Sequence, residues 1–254
     1  MNRIKKHYII TGASRGFGKD LALALSGENS VLHLFARSNM DALRKELRKS
    51  GSEVYFTELD LLEKDAPKEL MAQVERNVNR SETERIVLIN NAGMLEPVGP
   101  AGKHDGDLFR KHLELNFVVP IALTHVFIEA CQKEPCHKRV VMVSSGAADK
   151  PYYGWSHYCS SKAGLNMFVK VMGLEQEQQP DPIEVMAFNP GRIDTQMQEI
   201  IRNTSEEDFP MVNDFINAFK EGKIGESAEI AQRLARRIQS DYFPSGKILS
   251  HRDI

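Results

Sequence analysis

Tyr158 and Lys162 stand four residues apart in the segment GWSHYCSSKAG, beside serines, a cysteine and the only tryptophan of the chain. On a helix this spacing puts a phenol and an ammonium on one face, one turn apart. Such a pair is suited to proton transfer. An unperturbed tyrosine has a pKa of about 10, and bringing it to about 7 takes roughly 4 kcal/mol of preference for phenolate. A unit charge about 4 Å away supplies roughly that much at an effective dielectric of about 20. One lysine therefore suffices. The same spacing also arises by chance, and an ordinary buried helix would accommodate it. The elements around the pair must decide.

Those elements alternate. HYIIT (7–11), VLHLFA (31–36), EVYFTEL (53–59), RIVLIN (85–90), RVVMVSS (139–145) and IEVMAFN (183–189) read as strands, with a short seventh, GKILS, near the end. Near-continuous apolar runs of this kind suit parallel strands covered on both faces. Helical patterns separate them, including MDALRKELRKS, APKELMAQVERNVN and FVVPIALTHVFIEACQK, the last with Pro120 in its first turn, where no N–H is needed. The pattern predicts a single α/β domain over 1–254, a Rossmann-type doubly wound parallel sheet of about seven strands with helices on both faces. Such sheets bind ligands beyond the carboxyl ends of their strands.

Composition narrows the partners. With 254 residues, 41% of them hydrophobic and 27% charged, the chain can bury a large core. A net charge of −2 provides no basic excess for nucleic acid or anionic membrane. No apolar run approaches the roughly 20 residues that cross a bilayer. MNRIKKHYIITGAS reads as a first strand, not a signal peptide. Cys131, Cys136 and Cys159 form no Cys-x-x-Cys, which suits reduced thiols in a cytoplasmic protein. Cys136-His137 has no further ligands grouped nearby, so no metal site is expected.

The first strand runs into TGASRGFG, with Gly12, Gly16 and Gly18 ahead of a helix. Glycines here let a pyrophosphate approach backbone N–H groups at the helix N-terminus. A phosphate-binding loop of the Gly-x-x-x-x-Gly-Lys-Ser/Thr type fails twice: Ala13 replaces its first glycine, and Asp20 its magnesium-binding hydroxyl. A dinucleotide fits better. After the second strand comes FARSN, with Arg37 where an NAD site wants a carboxylate for the ribose hydroxyl. A guanidinium forks onto a phosphate, and Arg15 inside the glycine turn adds a second positive charge. NADPH/NADP+ is the expected cofactor.

Taken in order, TGASRGFG (11–18), Asp60, NNAG (90–93), Asn116 in LELN, Ser145, the Tyr158/Lys162 pair and NPGRIDT (189–195) resemble the short-chain dehydrogenase/reductase family over essentially the whole chain. Within it, VSSGAADKPYYGWSHYCSSKAGLNMF, PGRIDTQMQ and SGKILSHRD are similar to sepiapterin reductases and bacterial benzil reductases. The resemblance implies a catalytic group of Ser145, Tyr158, Lys162 and Asn116. The serine-to-tyrosine spacing favours Ser145 over Ser144, and Asn116 would support a water chain to Lys162. It also implies a cofactor site of Gly12, Ser14, Arg15, Gly16, Phe17, Gly18, Arg37, Asp60, Leu61, Asn90, Ala92, Gly93, Tyr158, Lys162, Pro190, Gly191, Ile193 and Thr195. One departure bears on substrate: Ser250 occupies the place of the aspartate with which sepiapterin reductases hold the pterin, and Asp253 comes three residues later.

The substrate pocket is expected among Met94, Leu95, Tyr153, Trp155 and Met197, under a lid over about 192–225 that carries Phe209, Met211 and Phe215. Aromatic and methionine side chains suit a bulky or aromatic ketone or 1,2-diketone as the small-molecule carbonyl substrate. Three rivals stand beside this reading: a sepiapterin reductase, a catalytically silent NADP-sensing protein of the same fold, and a nucleotide hydrolase. A homodimer or homotetramer is expected, since the apolar run 117–131 permits pairing through long helices.

Overall fold

The computed structural model describes residues 4–254. Seven parallel strands make one sheet in the order β3-β2-β1-β4-β5-β6-β7. They are β1 Lys5–Thr11, β2 Ser30–Ala36, β3 Glu53–Glu58, β4 Thr83–Asn90, β5 His137–Val143, β6 Glu184–Asn189 and β7 Lys247–Ser250. The order reverses between β1 and β4, which opens a crevice at their carboxyl ends. Side chains alternate across the pleat. Tyr8 and Ile10 enter one core with helices α1 (Gly16–Ala24), α2 (Asp41–Lys49) and α9 (Ser227–Gln239). Ile9 enters the other, against α3 (Ala66–Glu75), α5 (Val119–Cys131) and α6 (Ser156–Gln176). Because both faces are covered, all seven residues of β2 are buried, and its sequence SVLHLFA is correspondingly apolar.

A third, smaller cluster sits at the carboxyl edge, where α7 (Gln196–Arg202) and α8 (Val212–Lys220) cap Trp155 and Tyr158. The fifth strand ends at Val143, so Ser144 and Ser145 lie in the loop beyond it rather than at its tip.

The helix expected over 117–133 is part of a longer rod. Helix α4 (Gly106–Leu113) passes through a wide π-turn, Glu114–Val118, directly into α5. Pro120 thus lies inside the rod, not at its beginning. It has no N–H to return to the Asn116 carbonyl four residues earlier, which accounts for the wide winding there. The 26-residue rod is long and apolar enough to cross a bilayer by length and composition, although no continuous apolar run within it reaches that length. Its Leu123, Phe127 and Cys131 are instead built into the core beneath the sheet.

Candidate active site

The glycine turn is shaped by close approach. Gly12 adopts φ +67°, and a Cβ on it would stand 2.9 Å from the Ala92 Cα; a Cβ on Gly18 would run into the Asn91 amide and the Gly12 carbonyl. Thr11 and Asn91 stitch this turn to the loop after β4. The Thr11 hydroxyl accepts from the N–H groups of Asn91 and Ala92 at 3.0 and 3.1 Å, and Asn91 Nδ2 donates to the Thr11 and Gly12 carbonyls. Neither Thr11 nor Asn91 is among the expected site residues, although both adjoin them in sequence. The first turn of α1 has no side-chain cap and no acidic residue. Its N–H groups therefore face the cradle unclaimed, as a pyrophosphate requires. Across the cleft, the Thr195 Cγ2 would lie 3.5 Å from a Cβ on Gly16, so the segment after β6 closes over the turn. Gly191 takes φ +76° beneath the His251 ring, and Ile193 bridges to Gly225.

The other expected cofactor residues divide. Arg15 and Arg37 are exposed, and among the described residues neither forms an ion pair with a carboxylate. Ser14 is half-buried, and the Asp60 carboxylate accepts from the Leu62 N–H at 3.1 Å beside buried Leu61. Phe17 and Asn90 turn their side chains away. Phe17 stacks on Phe188 in the core, and Asn90 Nδ2 donates to the Thr124 hydroxyl and the Pro120 carbonyl. Asn90 Oδ1 is buried without a hydrogen-bond partner among the described residues. An ideal Cβ on Gly93 would stand 3.2 Å from Asn116 Oδ1 and 4.0 Å from Lys162 Nζ. The absent side chain keeps the space between those two groups open.

Tyr158 and Lys162 do share a face of α6 and are buried. Lys162 Nζ donates to the Val143 carbonyl at 2.8 Å and lies 5.8 Å from the centre of the Tyr158 ring. Burial draws the Lys162 pKa down to about 8. The expected lowering of Tyr158 is not found: burial of the ring raises its pKa, and a hydrogen bond with Ser145 only partly opposes this. Ser144, the rival of Ser145, is tied to Asn166 Oδ1 at 2.7 Å and is buried. Asn116 exchanges two bonds with the Met94 backbone, its Oδ1 accepting the N–H at 2.8 Å and its Nδ2 donating to the carbonyl at 2.7 Å.

The substrate side is aromatic. Trp155 stacks on Phe209 with centroids 4.6 Å apart at 7°, and meets Tyr158 edge-on at 5.6 Å. Tyr153 is 55% exposed, outside this cluster. Its neighbour Tyr152 holds the place against Trp155, at 4.9 Å. Met197 Sδ lies 3.9 Å from the Tyr158 hydroxyl, and Leu95 is buried in the same cluster. The region 192–225 is packed down: Phe209 and Phe215 are core residues, and Lys103 reaches Asp208 at 2.5 Å.

The short chain dehydrogenase family matches residues 6–206. The chain belongs to that family. A benzil reductase ((S)-benzoin forming) from Bacillus cereus is 32% identical over 244 residues, covering 96% of this chain and 98% of the relative. A sepiapterin reductase from Rattus norvegicus is 33% identical over 257 residues, covering 97% and 96%. A solved short chain dehydrogenase/reductase from Saccharomyces cerevisiae superposes with a TM-score of 0.85 at 27% identity, over 98% of this chain and 96% of the other. As a short-chain dehydrogenase/reductase the protein is an oxidoreductase acting on CH–OH/C=O groups with a nicotinamide cofactor. The resemblance and the doubly wound sheet read from sequence are both borne out.

Proposed function

We propose that the protein is an NADPH-dependent carbonyl reductase for bulky or aromatic ketones and 1,2-diketones. The observation that carries this reading is the buried Tyr158 hydroxyl, which bonds to Ser145 and faces a wall of Met197, Trp155 and Phe209. A bound nicotinamide supplies hydride to the carbonyl carbon. Ser145 and Tyr158 converge on the carbonyl oxygen, and Tyr158 passes its proton to the alkoxide as it forms. Lys162, charged below about pH 8, steadies the phenolate left behind. Asn116 and the opening at Gly93 provide the route by which that proton is restored. Arg15 and Arg37, without an ion-pair partner among the described residues and at the two adenosine-side positions, favour a 2′-phosphate. Free thiols at Cys131, Cys136 and Cys159 suit the cytoplasm, and exposed Met167, Val171 and Leu174 on α6 suit pairing of subunits.

A pterin ketone is the second reading. Asp253 folds back so that its Oδ2 accepts from both the Ser250 hydroxyl (2.7 Å) and N–H (2.6 Å). With that oxygen engaged, the tail is less suited to hold a pterin, which favours the diketone. Steady-state kinetics with benzil, sepiapterin and simple ketones, using NADPH and NADH, tests both readings. Tyr158→Phe is expected to leave NADPH binding nearly intact and to lower kcat by about three orders of magnitude. Retained turnover in that variant overturns the mechanism.

A further inference from the structure

Three consecutive residues after β4 are held by side chains from two helical segments. Asn116 grips the Met94 backbone at both its N–H and its carbonyl. The Leu95 carbonyl meets His157 Nε2 at 3.3 Å, and the Glu96 carbonyl meets His112 Nδ1 at 3.0 Å. The two imidazoles touch edge to face, with centroids 4.2 Å apart at 88°. His112 is fully buried, and nothing in the sequence marked it except its position four residues before Asn116.

The partners of His112 determine its polarity. A carbonyl only accepts, so Nδ1 carries the proton and Nε2 presents a lone pair. That lone pair faces Asn116 Nδ2 at 2.9 Å. The amide of Asn116 can then point one way only. Reversed, its oxygen would face two acceptors, the Met94 carbonyl and His112 Nε2, and its NH₂ would face the Met94 N–H. Burial holds the imidazole neutral, drawing its pKa down to about 3, with the Glu96 carbonyl opposing and His157 and Lys162 assisting. No proton competes for Nε2 near neutral pH.

We infer that His112 is a positioning residue: by accepting from Asn116 it locks the amide that grips Met94, and so fixes the loop beside Tyr158 and the opening at Gly93. It acts through Asn116, and its ring also meets the Tyr158 ring edge-on at 5.9 Å, a packing contact that an aromatic replacement keeps. The inference rests on the role proposed above for Asn116, but its geometric part can be read without turnover.

His112→Phe keeps an aromatic ring and removes both bonds, whereas His112→Gln keeps an acceptor able to reach Asn116. Hydrogen exchange at the Met94 amide is expected to quicken by at least about tenfold in His112→Phe and to stay within about threefold of the parent in His112→Gln. With benzil, kcat is expected to fall about tenfold in the first variant and to recover in the second, while KM for NADPH stays within about twofold in both. Should His112→Phe fail to fold, the smaller His112→Leu also removes both bonds and carries the same expectations. Unchanged Met94 exchange overturns the lock whatever the turnover. Equal losses in the Gln and Phe variants overturn it too, since ring packing then accounts for the effect. A parent enzyme that reduces no ketone removes the carbonyl-reductase reading, and Met94 exchange still decides the lock.

Discussion

The two sides of the cleft are built by different means. On the cofactor side the chain approaches itself through backbone: Gly12, Gly18 and Ala92 meet where a single Cβ would not fit. On the substrate side the wall is made of rings, with Trp155, Phe209 and Phe215 drawn from the residue that precedes α6, the loop after α7, and α8. A backbone cradle admits one class of ligand and tolerates little change. A wall of interlocked rings can alter its shape through substitution while the cradle stays the same. This difference predicts that damage to one side leaves the other working.

The largest effect is expected at Trp155. Its ring is buried, stacked on Phe209 and edge-on to Phe215 at 5.7 Å, so Trp155→Ala leaves a cavity that neighbours cannot fill. Denaturant unfolding is expected to show a loss of about 3–5 kcal/mol. NADPH affinity in the folded variant, measured by titration calorimetry, is expected to stay close to that of the parent. A comparable fall in both quantities would mean that the two sides are one unit, and the comparison breaks.

Gly18→Ala probes the opposite side. The new methyl group meets the Asn91 amide and the Gly12 carbonyl, and a backbone carbonyl cannot swing aside like a long side chain. NADPH is expected to bind about a hundredfold more weakly, equivalent to roughly 2.7 kcal/mol. Fluorescence of the aromatic wall around Trp155 is expected to remain unchanged. An undisturbed Kd would show that the cradle is softer than its contacts indicate.

The same division explains what could be read from sequence. Gly12, Gly16 and Gly18 act through local backbone, and local backbone requirements leave a residue-type signature, so the cradle was legible. So was the alternation of strands and helices, because burial on both faces demands apolar runs. The wall was legible only in composition. Tyr152 rather than Tyr153 joins Trp155, and no periodicity in a loop distinguishes two adjacent tyrosines. The raised pKa of Tyr158 was also out of reach, because the extent of its burial depends on Phe209 and Met197 closing over it from distant segments. His112 was hidden for the same reason: its partner Glu96 lies sixteen residues away in a loop.

Arg37 offers a finer test, since the proposed cofactor site would use its side chain rather than its backbone. It is exposed and forms no ion pair with a carboxylate among the described residues, so removing it disturbs no packing. Arg37→Ala is expected to weaken NADPH about tenfold, roughly 1.4 kcal/mol, through loss of a charge-assisted bond to the 2′-phosphate. NADH affinity, measured in parallel, is expected to hold. Equal losses for both would remove the basis for the NADPH preference.

Lys162 lies where the two sides meet, and its titration gives the smallest expected effect. Burial lowers its pKa to about 8, and its ammonium donates to the Val143 carbonyl. In the proposed mechanism the ammonium is the form that steadies the Tyr158 phenolate. Its population falls as pH rises through about 8, so kcat/KM for ketone reduction is expected to drop about threefold between pH 7.5 and 8.5. Lys162→Arg removes this falling limb if burial is the cause, because a guanidinium stays charged throughout the range. A limb that persists in that variant would assign the titration to another group. A parent profile flat to about pH 10 would mean that the lysine is solvated, and that the dry environment of the substrate wall ends short of the catalytic pair.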